Sequence, residues 1–387
     1  MSAGCMGYLR RDGRVGFRNY VLIIPSIVCA NRTVQMAASM CPGAIPLYNP
    51  FGCGQLGADV EQTFRTLVGI GTNPNVYGCV VVGLGCEQVQ AEEVSSRMAA
   101  GGQRVETVII QKERGVVKAA STAARAAARM LREASGVERV PTGYESVVVG
   151  LECGGSDFTS GIASNPVVGF AVDVLIDRGA TAILSESAEI MGAEHLLASR
   201  AVSPEVGAGI CELVRRVESE ARRVGVDVRG SQPSPGNIAG GVSTIEEKSL
   251  GCVFKAGTRP VRGVLEYAEA PTGSGLYVMD TPGQDVESMT GMAAGGANII
   301  LFTTGRGTPT GCAAAPVVKI CANLETCELM RDHVDVDVSG VMLGNEDIPT
   351  AGRRLLDEVD AVLGGRLTAS EVLGQWDFGI YRIGLTI

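Results

Sequence analysis

The chain has 387 residues, of which 52 are glycine, nearly twice the usual share of ~7 %, and only two are histidine, His195 and His333. With 45 % apolar residues and no Gly-x-y period, collagen-like and disordered chains are excluded, and the length suits two domains or one large one. Lys plus Arg 33 against Asp plus Glu 42 gives a net charge of −9; without a basic stripe this argues against nucleic acid, and without a long apolar run against a membrane, so a cytoplasmic protein is expected.

In chain order, the β-branched run 21–24 predicts a buried strand, followed by a helix over 31–40. Residues 80–82 predict the next strand and 91–100 a helix, then 105–110 a strand and 118–133 an exposed amphipathic helix. Composition turns to Gly, Pro and polar residues over 134–144, the best boundary. Beyond it, 147–149, 182–184, 276–279 and 299–302 read as strands, with helices over 166–178, 193–201 and 204–224, and 229–241 reads as a loop. The alternation predicts an α/β protein of two Rossmann-like, open, mainly parallel sheets flanked by helices, with an N-terminal domain over 1–138 and a C-terminal domain over 139–387.

Chemistry-bearing residues gather after the predicted strands. Cys53 lies between Gly52 and Gly54, Cys86 between Gly85 and Glu87, and Cys153 between Glu152 and Gly154. Three separated, glycine-flanked cysteines suit an iron-sulfur cluster with one iron open, or a single divalent metal; buried thiols beside tight turns are the plain alternative. The segment 185–195 carries Glu186, Glu189, Glu194 and His195. Glu186 and His195 are its candidates for metal ligand or general base, whereas Glu194 suits a helix start. Gly240-Gly241 leads toward Lys248 as a seat for an anion, and Arg306, in the glycine-rich run 303–312, suits bidentate capture of a carboxylate or sulfonate.

These segments resemble the altronate/galactarate dehydratase family in its large catalytic region. The resemblance is carried by Gly52-Cys53-Gly54, Gly85-Cys86-Glu87, Cys153-Gly154-Gly155-Ser156-Asp157, Leu184-Ser185-Glu186, Gly192-Ala193-Glu194-His195, Pro235-Gly236-Asn237, Glu247-Lys248-Ser249, Met279-Asp280-Thr281-Pro282-Gly283 and Thr303-Thr304-Gly305-Arg306. It implies metal-assisted β-elimination of water from a sugar acid to a 2-keto-3-deoxy acid. On that reading Cys53, Cys86, Cys153 and Glu87 hold iron, as Fe²⁺ or an open cluster, or another divalent metal. Glu186, His195 and Lys248 are then catalytic, and Ser156, Asp157, Asn237, Thr304 and Arg306 bind a small anionic hydroxy acid.

Two departures bear on the substrate. Sugar-acid dehydratases carry a small domain ahead of the large region, with no counterpart before Gly7-Tyr8, and many relatives place a histidine where this chain has Tyr48-Asn49-Pro50-Phe51. The chain is also similar to the large subunit of sulfolactate sulfo-lyase, in which sulfite leaves instead of water. A separately encoded small subunit and a homo-oligomer are therefore expected. A non-catalytic sugar-acid or metal-binding subunit is the alternative of another class.

Overall fold

The computed structural model describes residues 5–228 and 232–387. Strand β1 (Cys5–Leu9) pairs antiparallel with β2 (Val15–Gly16) and β7 (Val140–Thr142). The two main sheets are wholly parallel. One has the order β4-β3-β5-β6 and is built from β3 (Tyr20–Pro25), β4 (Ala44–Pro46), β5 (Val76–Gly83) and β6 (Arg104–Ile109). The other has the order β10-β11-β9-β8-β12-β13-β14. Its strands are β8 (Val148–Cys153), β9 (Thr181–Leu184), β10 (Val261–Leu265), β11 (Gly275–Met279), β12 (Ile299–Thr304), β13 (Val317–Cys321) and β14 (Val336–Asp337).

The apolar runs are continuous because both faces of each sheet are covered. Along β3, Val21 and Ile23 point to a core beneath the helices Asn31–Met40 and Val116–Ser135, while Leu22 and Ile24 enter a second core on the other face. That second core also contains Ile183, Ile300 and Phe302 of the larger sheet, so one apolar layer serves both sheets. Helices Gly57–Gly71 and Asp285–Ala294 meet within it. A Cβ on Gly69 would stand 2.3 Å from the Ala294 carbonyl oxygen, so only glycine permits that approach. Across the same junction Arg18, 5 % exposed, donates from Nε and Nη2 to the two carboxylate oxygens of Glu371 at 2.7 and 2.9 Å, a bidentate buried pair.

The sequence reading places helices 31–40 and 91–100 to the residue. It assigns nothing to the helices Gly57–Gly71, Asp285–Ala294 and Ile348–Leu363. Of the expected loop over 229–241, residues 229–231 lie outside the described residues, and the remainder contains the short helix Pro235–Ala239. A capping box between Ser234 and Asn237, with Pro at the first turn, accounts for that helix. No helix among the described residues is long and apolar enough to cross a membrane.

Strand order decides where ligands can sit. In an open parallel sheet the crevice opens at the carboxyl ends of two neighbouring strands whose connections leave in opposite directions. In the larger sheet the chain starts at β8, moves one way to β9 and later resumes on the other side at β12. In the smaller sheet it starts at β3, moves one way to β4 and resumes on the other side at β5.

Candidate active site

A cleft of roughly 430 Å³ opens at the carboxyl ends of β8 and β12, lined by Cys153, Ser156, Asn237, Lys248, Asp285 and Arg306 among others. Cys153 is the last residue of β8 and Thr304 the last of β12. The turns beyond them are cross-bonded: Gly305 N and Arg306 N both donate to Gly155 O, at 3.2 and 2.8 Å, and Gly307 N donates to Thr304 Oγ1 at 2.9 Å. Asn237 Nδ2 donates to Ser156 O at 2.8 Å, and Arg306 Nη1 to Gly236 O at 2.9 Å, which fixes the short helix as one wall. Lys248, on the helix Ile245–Phe254, pairs with Glu189 at 2.7 Å. Burial disfavours the Lys248 ammonium, but the charges of Glu189, Cys153 and Glu186 outweigh it and hold the group protonated.

A charged network lies beneath the cleft floor. Glu186 follows β9 in a left-handed conformation, φ 68°, with its N–H donated to Thr281 Oγ1 at 2.6 Å. A non-glycine residue held there stores strain, which the surrounding bonds enforce. Its Oε2 accepts from Cys153 N at 3.1 Å, from the Cys153 thiol at 3.3 Å and from the ammonium of Lys255. Lys255 is 0 % exposed and also reaches Cys153 Sγ at 2.9 Å. Behind it, Glu152 is fully buried, with Oε2 accepting from Ser185 and Ser288 and Oε1 without a partner. Burial, then the charge of Glu186, pushes the Glu152 carboxyl well above its ordinary range. The Cys153 thiol is likewise pushed upward, by its hydrogen bond with Cys252, by burial and by Glu186.

Asp285 is the titratable group poised for neutral pH. It opens the helix Asp285–Ala294 and lines the cleft. Burial, then the charges of Glu186 and Glu189, pushes its carboxyl up to about 7. It rests against Gly154, where an added Cβ would lie 2.4 Å from Asp285 Oδ2 and 2.7 Å from the Phe302 ring. Gly154→Ala is therefore expected to displace the carboxylate, lowering kcat about 100-fold while costing about 1–3 kcal/mol of stability. Turnover and urea unfolding of that variant check both numbers.

Five sequence-predicted residues meet in the cleft: Cys153, Ser156, Asn237, Lys248 and Arg306. Thr304 is buried at its edge, and Asp157 holds the adjoining turn by accepting from Thr159, Ser160 and Asn323. Glu186 lies below the floor. His195 is exposed on the helix Glu194–Ala198 and is not among the cleft-lining residues. Cys53 and Cys86 are exposed on loops of the smaller sheet, apart from the cleft lining. Glu87 is 5 % exposed and braces its own loop, accepting from Gly85 N at 2.6 Å and Ser26 Oγ at 3.0 Å.

The sequence reading missed Asp285, Lys255, Cys252 and Glu152. Lys255 left a trace, a lysine directly after Val253-Phe254 in an apolar stretch; Asp285 reads as an ordinary helix-start acid. Cys153 Sγ, a Glu186 oxygen and Cys252 Sγ lie within 4.8 Å of one another, a set that could hold a metal ion. The Lys255 ammonium already bonds two of these three donors, so a metal there would compete with a resident cation.

Residues 7–135 match the second domain of D-galactarate dehydratase/altronate hydrolase, and residues 144–386 match the C-terminal region of D-galactarate/altronate dehydratase. The chain is 38 % identical to (2R)-sulfolactate sulfo-lyase subunit beta of Chromohalobacter salexigens, over 98 % of this chain and 97 % of that protein. It is 33 % identical to the altronate dehydratase of Bacillus subtilis, over 98 % of this chain and 78 % of that protein. Its identity to the galactarate dehydratase (L-threo-forming) of Escherichia coli is also 33 %, over 96 % and 74 %.

Proposed function

The chain belongs to the D-galactarate/altronate dehydratase family, and from that premise we propose that it is a lyase subunit that eliminates a β-substituent from a small 2-hydroxy acid carrying two anionic groups. The observation that carries this reading is the cleft itself, where one carboxyl poised at about 7 shares the lining with two cations, Lys248 and Arg306.

The proton α to a carboxylate is far too weakly acidic for a free side chain, so charge on the developing enediolate must be met as it forms. Lys248 and Arg306 supply that charge and anchor the substrate. Asp285, as the carboxylate, takes the proton from C2. The C–H pair becomes the C2–C3 double bond, the bond from C3 to its substituent breaks, and the leaving group departs with that pair. The resulting enol ketonises to a 2-keto acid. Lys255 keeps Glu186 and Cys153 in place under the floor. Iron would supply Lewis acidity to such a reaction; the buried Cys153, Glu186 and Cys252 set already holds an ammonium, and no step is assigned to metal there.

A leaving sulfite fits two features: the paired cations match a carboxylate plus a sulfonate, and the sulfolactate relative is matched at 38 % identity over nearly its whole length. That relative is named a beta subunit, so we assign this chain a second, separately encoded subunit. Dehydration of a sugar acid is the second reading, favoured by the family descriptions that match both halves. Purified chain with its partner subunit should yield pyruvate and sulfite in equal amounts from (2R)-sulfolactate. A 2-keto-3-deoxy acid from altronate or galactarate, with no sulfite from sulfolactate, establishes the second reading instead; no keto acid from any of the three overturns the elimination.

A further inference from the structure

Three of the twelve cysteines are exposed, and all three stand at one end of the smaller sheet. Cys29 lies just beyond β3, Cys86 just beyond β5, and Cys53 on the segment that follows β4. That segment passes between the other two. Val28 N donates to Phe51 O at 2.9 Å on one side, and Gln88 N and Val89 N donate to Gly52 O at 3.1 Å on the other. Residues within three positions of each cysteine are thus stitched together across the β3–β5 crevice, the place where strand order reverses and ligands of open parallel sheets sit.

The backbone is shaped to present these thiols. Gly52, Gly54 and Gly85 take φ of 108°, 68° and 121° beside Cys53 and Cys86, and a Cβ on Gly52 would lie 2.2 Å from Ser26 O. Exposed thiols are reactive and oxidisable, so three at one crevice, in a chain that buries eight of the others, call for a ligand. The spacing indicates which. Among the described residues only Cys153, Glu186 and Cys252 bring three donors within 4.8 Å of one another, so the three exposed sulfurs are not gathered as donors around a single ion would be. Thiolates that each bind a different iron of a polynuclear centre do not have to be gathered that tightly.

We infer that Cys29, Cys53 and Cys86 ligate an iron-sulfur cluster of the four-iron class, leaving one iron without a protein thiolate and open to an oxygen ligand. The set differs from the one the sequence suggests: Cys29 replaces Cys153, which sits in the other sheet against Lys255. The presence of the cluster does not rest on the elimination proposed above, and it is measured without turnover.

The test is anaerobic reconstitution of the full chain with ferrous iron and sulfide, followed by iron and acid-labile sulfide analysis and visible absorption. About four irons and four sulfides per chain are expected. Cys29→Ala, Cys53→Ala and Cys86→Ala should each lose most of both, with Tm close to the parent because the sites are exposed. Cys252→Ala should keep the full complement. Iron without acid-labile sulfide, full cluster content in Cys29→Ala, or loss confined to Cys153→Ala and Cys252→Ala would each overturn the assignment. So would a disulfide joining two of the three in protein kept free of oxidant.

Discussion

Lys255→Met should unfold at a much lower urea concentration than the parent, with a loss of about 3–5 kcal/mol. Methionine fills much of the same space, so the loss would come from charge and not from a cavity. Lys255 is the cation bonded to both Glu186 and Cys153 in a region where Glu152 is fully buried too. Removing it leaves a carboxylate with no counter-charge in a dry interior, a large fraction of the 5–15 kcal/mol typical of a whole domain. Burial alone would lower the Lys255 pKa, but Cys153, Cys252, Glu186 and Glu152 together raise it well above the ordinary value. Stability from this pair is therefore fully present below the unfolded lysine pKa and is lost only as pH rises through the higher folded one, so neutral pH leaves it intact. The double variant Lys255→Met/Glu186→Gln removes both charges and should recover most of the loss. Equal stability of the single and double variants would show that the ion pair is not what holds the cleft floor.

Asp285→Asn should lower kcat by about 10²- to 10⁴-fold while improving heat resistance at alkaline pH. The parent should gain activity as pH rises through about 7, where the carboxyl becomes the base; the residual activity of the variant should lack that limb. The stability effect has the opposite sense to an ordinary surface carboxyl. Because the folded pKa is raised above the unfolded value of 3.8, the folded state holds its proton more tightly between 3.8 and about 7. The stability this contributes is lost as pH rises through about 7, and at pH 8 the parent carries a buried charge at a cost. The neutral amide avoids that cost, so the Tm of the variant should exceed that of the parent at pH 8, and the gap should close toward pH 4. A parent-like pH profile and turnover in Asp285→Asn would remove Asp285 from the reaction.

Local pattern made much of the fold legible. The run 21–24 and the helix over 91–100 follow from residue type and spacing, and Gly101 marks the latter's end. Elements such as β4 and β14 escaped because two or three residues carry no period, and the helix Gly57–Gly71 because its buried face includes Asp59, Gln62, Thr63 and Thr66. At the site, Arg306 drew notice because a cation in a glycine-rich loop after a strand has few structural uses, and Lys248 because it sits in the first turn of a helix that follows Gly240-Gly241. Asp285 was not, since an acid at a helix start looks stabilising in itself, and its role depends on Gly154, which is remote in sequence. The cysteines show the limit most clearly. Local sequence marks Cys53, Cys86 and Cys153 alike, each beside glycine, whereas which cysteines share one crevice depends on strand order, which places Cys29, Cys53 and Cys86 at the smaller sheet and Cys153 at the larger.

The apolar layer shared by the two sheets has a consequence for how the chain behaves as a whole. Ile24 and Val81 of one sheet share this layer with Ile300 and Phe302 of the other, and Gly69 packs directly against the Ala294 backbone. Neither half can melt alone without wetting the inner face of the other. The two crevices thus sit on sheets that share one apolar layer and belong to one cooperative unit.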